Sequence, residues 1–99
     1  MNQLEAMKDT VALMERRIEF AEDEHGPLSD VDFSELDQGL RPSHVREMLK
    51  AMQSGINPQD PERDFAEGKA GRWLGWAQAA VVAMGLASLD DMKSINRRW

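Results

Sequence analysis

Cysteine is absent, which excludes disulfides and thiolate metal sites and leaves a reducing cytosol as the expected compartment. Histidine occurs twice, as His25 and His44, too far apart and too differently flanked to form a metal pair, so no metal or cofactor is expected. Long apolar runs are missing as well: the longest, Leu74 to Ala87, covers 14 residues with Gln78 inside it, against the ~20 that a bilayer span requires. The opening Met-Asn-Gln-Leu-Glu has no basic stretch followed by an apolar one, as a secretory signal would. A chain that neither spans a membrane nor is exported, and that resides in the cytoplasm, is the expectation. At 99 residues it is expected to form one domain, residues 1–99, with a modest core. A catalytic cleft would have to be shared between subunits.

Basic residues are scarce in the first part of the chain. Residues 1–40 carry 11 acidic and 3 basic side chains, a balance of −8, whereas residues 41–99 carry 7 acidic and 9 basic, a balance of +2. The run Glu19, Glu22, Asp23, Glu24, Asp30, Asp32, Glu35 and Asp37 contains no Lys or Arg and is a candidate surface for a basic partner; it also reads as a solvated turn region. Asp30, Asp32 and Ser34 match the start of a calcium loop, but Glu35 stands where the loop needs Gly and Arg41 where it needs Glu. Calcium binding is not expected.

What is present is helical periodicity. Leu4, Met7, Val11, Met14, Ile18 and Ala21 follow spacings of three and four, and predict a first helix over about Asn2 to Asp23. Leu13 and Phe20 widen its apolar stripe, which favours packing in a bundle over an extended coiled coil. Gly26-Pro27 ends it. Ser29 to Leu40 reads as one or two helical turns, with Ser29 or Asp30 accepting the first free amides. Pro42-Ser43 suits the start of a helix with Val45, Met48, Leu49 and Met52 on one face, ending at Ser54-Gly55. Asp60 and Pro61 suit the N-cap and first residue of a third helix reaching about Met84, and Gly85 stops it. Ser88 followed three residues later by Asp91 resembles a capping box for the last helix, although Asp is a weaker match than Glu.

The third helix is the most informative segment. At ~100° per residue, Gly68, Gly71, Gly75 and Ala79 share one side, Trp73, Ala77, Ala80 and Met84 a second, and Phe65, Lys69, Arg72, Trp76 and Ala83 a third. The strip of small residues predicts close approach of another helix, and the apolar circumference beyond Trp73 predicts that other elements, or a second chain, surround it. Arg72 and Trp76, four residues apart, place a guanidinium beside an indole, which suits a structural cation–π contact or an anionic or planar ligand. Gln78 is an amide inside an apolar helix and requires partners, from another helix or another subunit.

Other chemistries are poorly supplied. Phe33 to Met52 can be read as helix–turn–helix with His44, Arg46 and Lys50 on the second helix, but Glu47 lies among them and no strong basic patch accompanies it, which disfavours nucleic-acid binding. Glu15, Glu19, Glu22 and Asp23 suggest a helical magnesium site, yet a second carboxylate-bearing helix is missing. No His neighbours a nucleophile and no glycine loop fits a phosphate, so no catalytic residue is assigned and a non-enzymatic role is expected.

The segments Lys69-Ala70-Gly71-Arg72-Trp73-Leu74-Gly75-Trp76-Ala77-Gln78 and Gly85-Leu86-Ala87-Ser88-Leu89-Asp90-Asp91-Met92-Lys93-Ser94-Ile95-Asn96 resemble the C-terminal half of small proteins of tailed phages and prophages. Those share an Arg-Trp-Leu-Gly, aromatic, Gln pattern ahead of a short acidic-capped helix ending in Asn. The resemblance covers about a third of the chain, and Ala79 stands where Gly often follows the Gln. It implies a viral accessory protein acting in the bacterial cytoplasm and carries no catalytic residues to transfer.

Together these readings predict an all-α domain, a small bundle of three main helices and one or two short ones, self-associating as a homodimer. The expected function is non-enzymatic binding of another macromolecule, a host protein in the viral reading. Arg72, Trp76, Arg97, Arg98 and Trp99 form one candidate surface, and Glu22, Asp23, Glu24, Asp30, Asp32, Glu35 and Asp37 the other. The alternatives are a small-ligand or nucleotide binder with an intersubunit site around Arg72, Trp76 and Gln78, and a DNA-associated regulator.

Overall fold

A computed structural model describes residues 1–55 and 68–99. Among them are α1 (Gln3–His25), α2 (Pro42–Gly55), α3 (Lys69–Ala83) and α4 (Leu89–Arg98), two 3₁₀ turns at Asp30–Phe33 and Gln38–Leu40, and no strand. The fold is a small all-α bundle.

The seam read from sequence organises it. Met7, Val11, Met14 and Ile18 are buried along α1, joined by Val45, Met48 and Met52 of α2, Leu74, Ala77, Ala80 and Val81 of α3, and Met92 and Ile95 of α4. Methionine, unbranched and adaptable, fills much of this small core. α1 touches each of the other three helices. Pairs of side chains give their directions: Gly71 lies against Gln3 and Gln78 against Thr10, so α3 runs parallel to α1, whereas Arg98 meets Asp9 and Asp91 meets Arg17, so α4 runs antiparallel.

Local chemistry sets the ends. Asn2 caps α1 by accepting the Glu5 amide at 3.1 Å, and Gly26, at φ 85°, closes it with its N–H on Glu22 O at 2.8 Å. On the first 3₁₀ turn Asp32 accepts the Ser29 amide on its carboxylate at 2.7 Å and donates its own N–H to Ser29 O at 3.0 Å. Asp30 does not cap its own turn; its carboxylate accepts the amide and hydroxyl of Ser43 and so caps α2. Arg41 braces the same loop by donating to Leu36 O and Ser34 O. Between α3 and α4, Gly85 at φ 77° carries a Schellman turn, with Gly85 N–H on Val82 O at 3.0 Å and Leu86 N–H on Val81 O at 3.3 Å. Ser88 and Asp91 make both bonds of the capping box, at 2.9 and 3.1 Å, so Asp reaches as well as Glu would here.

Two sequence expectations are corrected. A single helix from Pro61 to Met84 does not form, because Gly68 has φ 77° and cannot sit within a right-handed helix; α3 begins at Lys69. The expected start at Asp60 and Pro61 lies outside the described residues. Phe20 is 67% exposed rather than packed. It shares Leu13's side of α1 but lies three residues beyond Arg17, which meets the first turn of α4, so that helix does not reach it.

Candidate interaction site

Gln78 is buried at the junction of three helices. Its Nε2 donates to Asn96 Oδ1 at 2.8 Å and to Thr10 Oγ1 at 3.2 Å, and its Oε1 accepts from Asn96 Nδ2 at 3.1 Å. Thr10 in turn donates to Ala6 O at 2.8 Å. The amide that looked out of place in an apolar helix therefore ties α3 to α4 and α1 within one chain. No ligand is needed to satisfy it.

Beside this pair opens a hollow of about 470 Å³ between α3 and α4, lined by Gly75, Gln78, Ala79, Val82 and Ala83 on one side and Leu89, Met92, Lys93 and Asn96 on the other. The small-residue strip expected to receive another helix of the fold is only partly used. A Cβ at Gly71 would lie 2.9 Å from Gln3 Nε2, a tight fit, whereas one at Gly75 would meet nothing within 4 Å. Ala79 and Ala83 are exposed, and Leu89 at the rim is 62% exposed. The encirclement expected beyond Trp73 is thus incomplete within the described chain.

Arg72 and Trp76 lie on the other flank of α3, over a second hollow of about 340 Å³ shared with Trp73 and with His44 and Met48 of α2. Trp76 is 49% exposed and donates its Nε1–H to Gly39 O at 2.7 Å, so one edge of the ring is held. Lys69, four residues before Trp73, places its Nζ over that indole, 5.0 Å from the ring centroid. The three side chains singled out by the sequence consequently divide: Arg72 and Trp76 face α2, and Gln78 faces α4.

The C-terminal candidates also separate. Trp99 Nε1–H and Arg98 both bind Asp9 Oδ2, at 2.8 and 3.1 Å, and Asn2 N–H donates to Trp99 O at 2.9 Å, so this end is fastened to the start of α1. Arg97 is exposed on α4.

Several carboxylates of the acidic run have structural work. Glu22 accepts the Leu28 amide at 3.0 Å, Asp32 the Ser29 amide at 2.7 Å, and Glu24 lies 3.6 Å from His25. The Ser43 hydroxyl holds the Asp30 carboxyl below its ordinary range, with the Ser43 amide, Arg46 and Arg41 acting in the same direction and burial opposing. Asp23, Glu35 and Asp37 are exposed. No group of three or more His, Cys, Asp or Glu among the described residues is arranged to hold a metal ion, and no helix among them is long and apolar enough to cross a membrane.

Comparisons with protein-family models, with curated proteins and with solved structures find no match for this chain. Sequence reasoning missed Asn96, Leu89 and Lys93 as parts of one site. The available signal was the short turn at Gly85, which folds α4 back along α3 and brings residues 89–96 opposite 75–83.

Proposed function

We propose that this chain is a non-enzymatic interaction module of the phage accessory type, and that it binds a protein partner through the hollow between α3 and α4. One observation carries the reading: an open apolar trough floored by Gly75, Ala79 and Ala83 and edged by an exposed Leu89. A domain of this size leaves so large an apolar hollow uncovered at a cost in solubility, and such surfaces mark interaction sites. Of the polar side chains that a reactive site would draw on, Gln78 joins α3 to α4 and α1, Asp30 caps α2, Asp32 accepts the Ser29 amide and Asp91 caps α4. The small-ligand reading drew on Arg72, Trp76 and Gln78 together, whereas protein binding at the trough needs only the face that contains Gln78. The viral and cytoplasmic parts of the reading rest on the resemblance of residues 69–78 and 85–96.

The test is affinity purification from host lysate with wild-type protein and with Ala79→Trp, which fills the trough from an exposed position. A protein retained by the wild type and lost with the variant, both being folded by circular dichroism, is the expected result. Equal retention by both places the partner elsewhere and overturns the proposal.

A further inference from the structure

The α4 rim of the trough is cationic, although the chain as a whole has a net charge of −6. On α4, Leu89, Lys93 and Arg97 follow at four-residue spacing and form one row along the rim, with Lys93 lining the trough itself. From Lys69 to Ala83 there is no Asp or Glu, and no carboxylate among the described residues lines the trough or the neighbouring hollow at Trp76. The carboxylates of α4, Asp90 and Asp91, stand in its first turn, and Asp91 is turned to Ser88 and Arg17.

From this charge pattern we infer that the occupant is an amphipathic helix of a protein partner whose apolar stripe is bordered by Asp and Glu where it meets α4. The inference rests on the protein-binding reading above and adds the partner's chemistry to it. Two antiparallel helices joined by a short turn make a trough suited to a third. Gly75, Ala79 and Ala83 span about 12 Å of α3, two helical turns, and offer no side chain larger than methyl, so a partner backbone can approach closely. Apolar anchors at three- and four-residue spacing would enter the hollow and stack on Leu89 and Met92, as in helix-in-groove recognition. Acidic side chains along the partner's shoulder on the α4 side would then meet Lys93 and Arg97. A second copy is a poorer occupant. Symmetric pairing about an axis perpendicular to the helices sets the Lys93 and Arg97 row of α4 against its own image, and like charges so placed oppose association. Nucleic acid suits the cations but not the apolar floor.

The probes are two designed peptides of about 18 residues, five helical turns, with one Leu and Phe stripe in common, flanked by Glu in the first and by Lys in the second. Each carries a fluorophore and is titrated with the full chain by anisotropy at about 50 mM salt, where rim charges are weakly screened. The Glu-flanked peptide is expected to bind about tenfold more tightly than the Lys-flanked one. K93E combined with R97E, at exposed positions that spare the core, should erase or invert that preference, and Ala79→Trp should weaken both peptides. Equal binding of the two peptides that remains sensitive to Ala79→Trp overturns the acidic partner while leaving the trough as a protein-binding site. If neither peptide binds, or if Ala79→Trp has no effect, the inference and the reading beneath it fall together. A dimer in sedimentation that Ala79→Trp dissociates seats a second copy in the trough and overturns the inference, as does a DNA duplex that competes with the Glu-flanked peptide.

Discussion

Gln78 and Asn96 exchange two amide hydrogen bonds across the α3–α4 interface, at 2.8 and 3.1 Å, and Thr10 of α1 accepts the remaining Gln78 proton at 3.2 Å. Removing one member strands the other. Asn96→Leu leaves the buried Gln78 amide short of two partners and should cost about 1–3 kcal/mol; Gln78→Leu should cost less, because half-buried Asn96 can turn to water. The double replacement by Leu should be milder than the sum of the singles, with a coupling of about 0.5–3 kcal/mol. Urea unfolding of the four proteins measures this cycle. Strict additivity would show that the pair does not act as a unit.

This pairing also marks where the sequence stops being readable. The spacing of Leu4 to Ile18, the break at Gly26-Pro27, Pro42-Ser43 as a helix start and the Ser88–Asp91 box are all local signals, and each element forms where they stand. Gly68 misled because a glycine tolerated inside a helix and one adopting φ 77° look the same in sequence. The strip at Gly71, Gly75 and Ala79 is ambiguous for a related reason: small side chains signal close approach, not whether what approaches belongs to the chain. Partners distant in sequence, Asn96 for Gln78 and Ser43 for Asp30, are set by tertiary packing that no local pattern encodes.

Asp30 makes stability depend on pH. Its folded-state pKa is depressed, first by the Ser43 hydroxyl, so its contribution is fully present above the unfolded carboxylate range near ~4 and is lost as pH falls through the folded value. Asp30→Ala removes the cap of α2 and should cost about 1 kcal/mol at pH 7. The gap in melting temperature between wild type and variant should then close as pH drops below ~4. Asp91, held low by the Ser88 amide and hydroxyl and by Arg17, should respond in the same direction. Melting curves from pH 7 to ~2.5 test both sites; a gap that stays constant through this window would remove the ionised carboxylate from the explanation.

Trp76 is held to the second 3₁₀ turn by its bond to Gly39 O, and a Cβ at Gly39 would lie 3.2 Å from Trp76 Cζ2. Trp76→Phe keeps most of the ring but loses the donor, and should cost about 0.5–1 kcal/mol because the site is half open to water. Gly39→Ala should displace the indole by a few tenths of an ångström and loosen the same turn. Amide exchange at Leu40 and Arg41, whose N–H groups close that turn on Asp37 O and Gln38 O, should quicken in both variants. Exchange unchanged from wild type would show that the turn holds without the indole.

Asp9 is the point on which the two ends of the chain meet. One oxygen, Oδ2, accepts from Trp99 Nε1 at 2.8 Å and from Arg98 at 3.1 Å, and the backbone closes the contact through Asn2 N–H on Trp99 O at 2.9 Å. The ion pair is exposed, so it adds little to global stability, and α4 keeps its anchors at Met92, Ile95 and Asn96. Asp9→Ala should therefore lower stability by no more than about 1 kcal/mol while freeing the last turn. The readouts are local: faster exchange of the Asn2 amide and a red shift in the emission of Trp99 as its ring moves into water. An Asn2 amide as protected in Asp9→Ala as in the wild type would mean that the backbone bond, and not the carboxylate, fastens the two ends together.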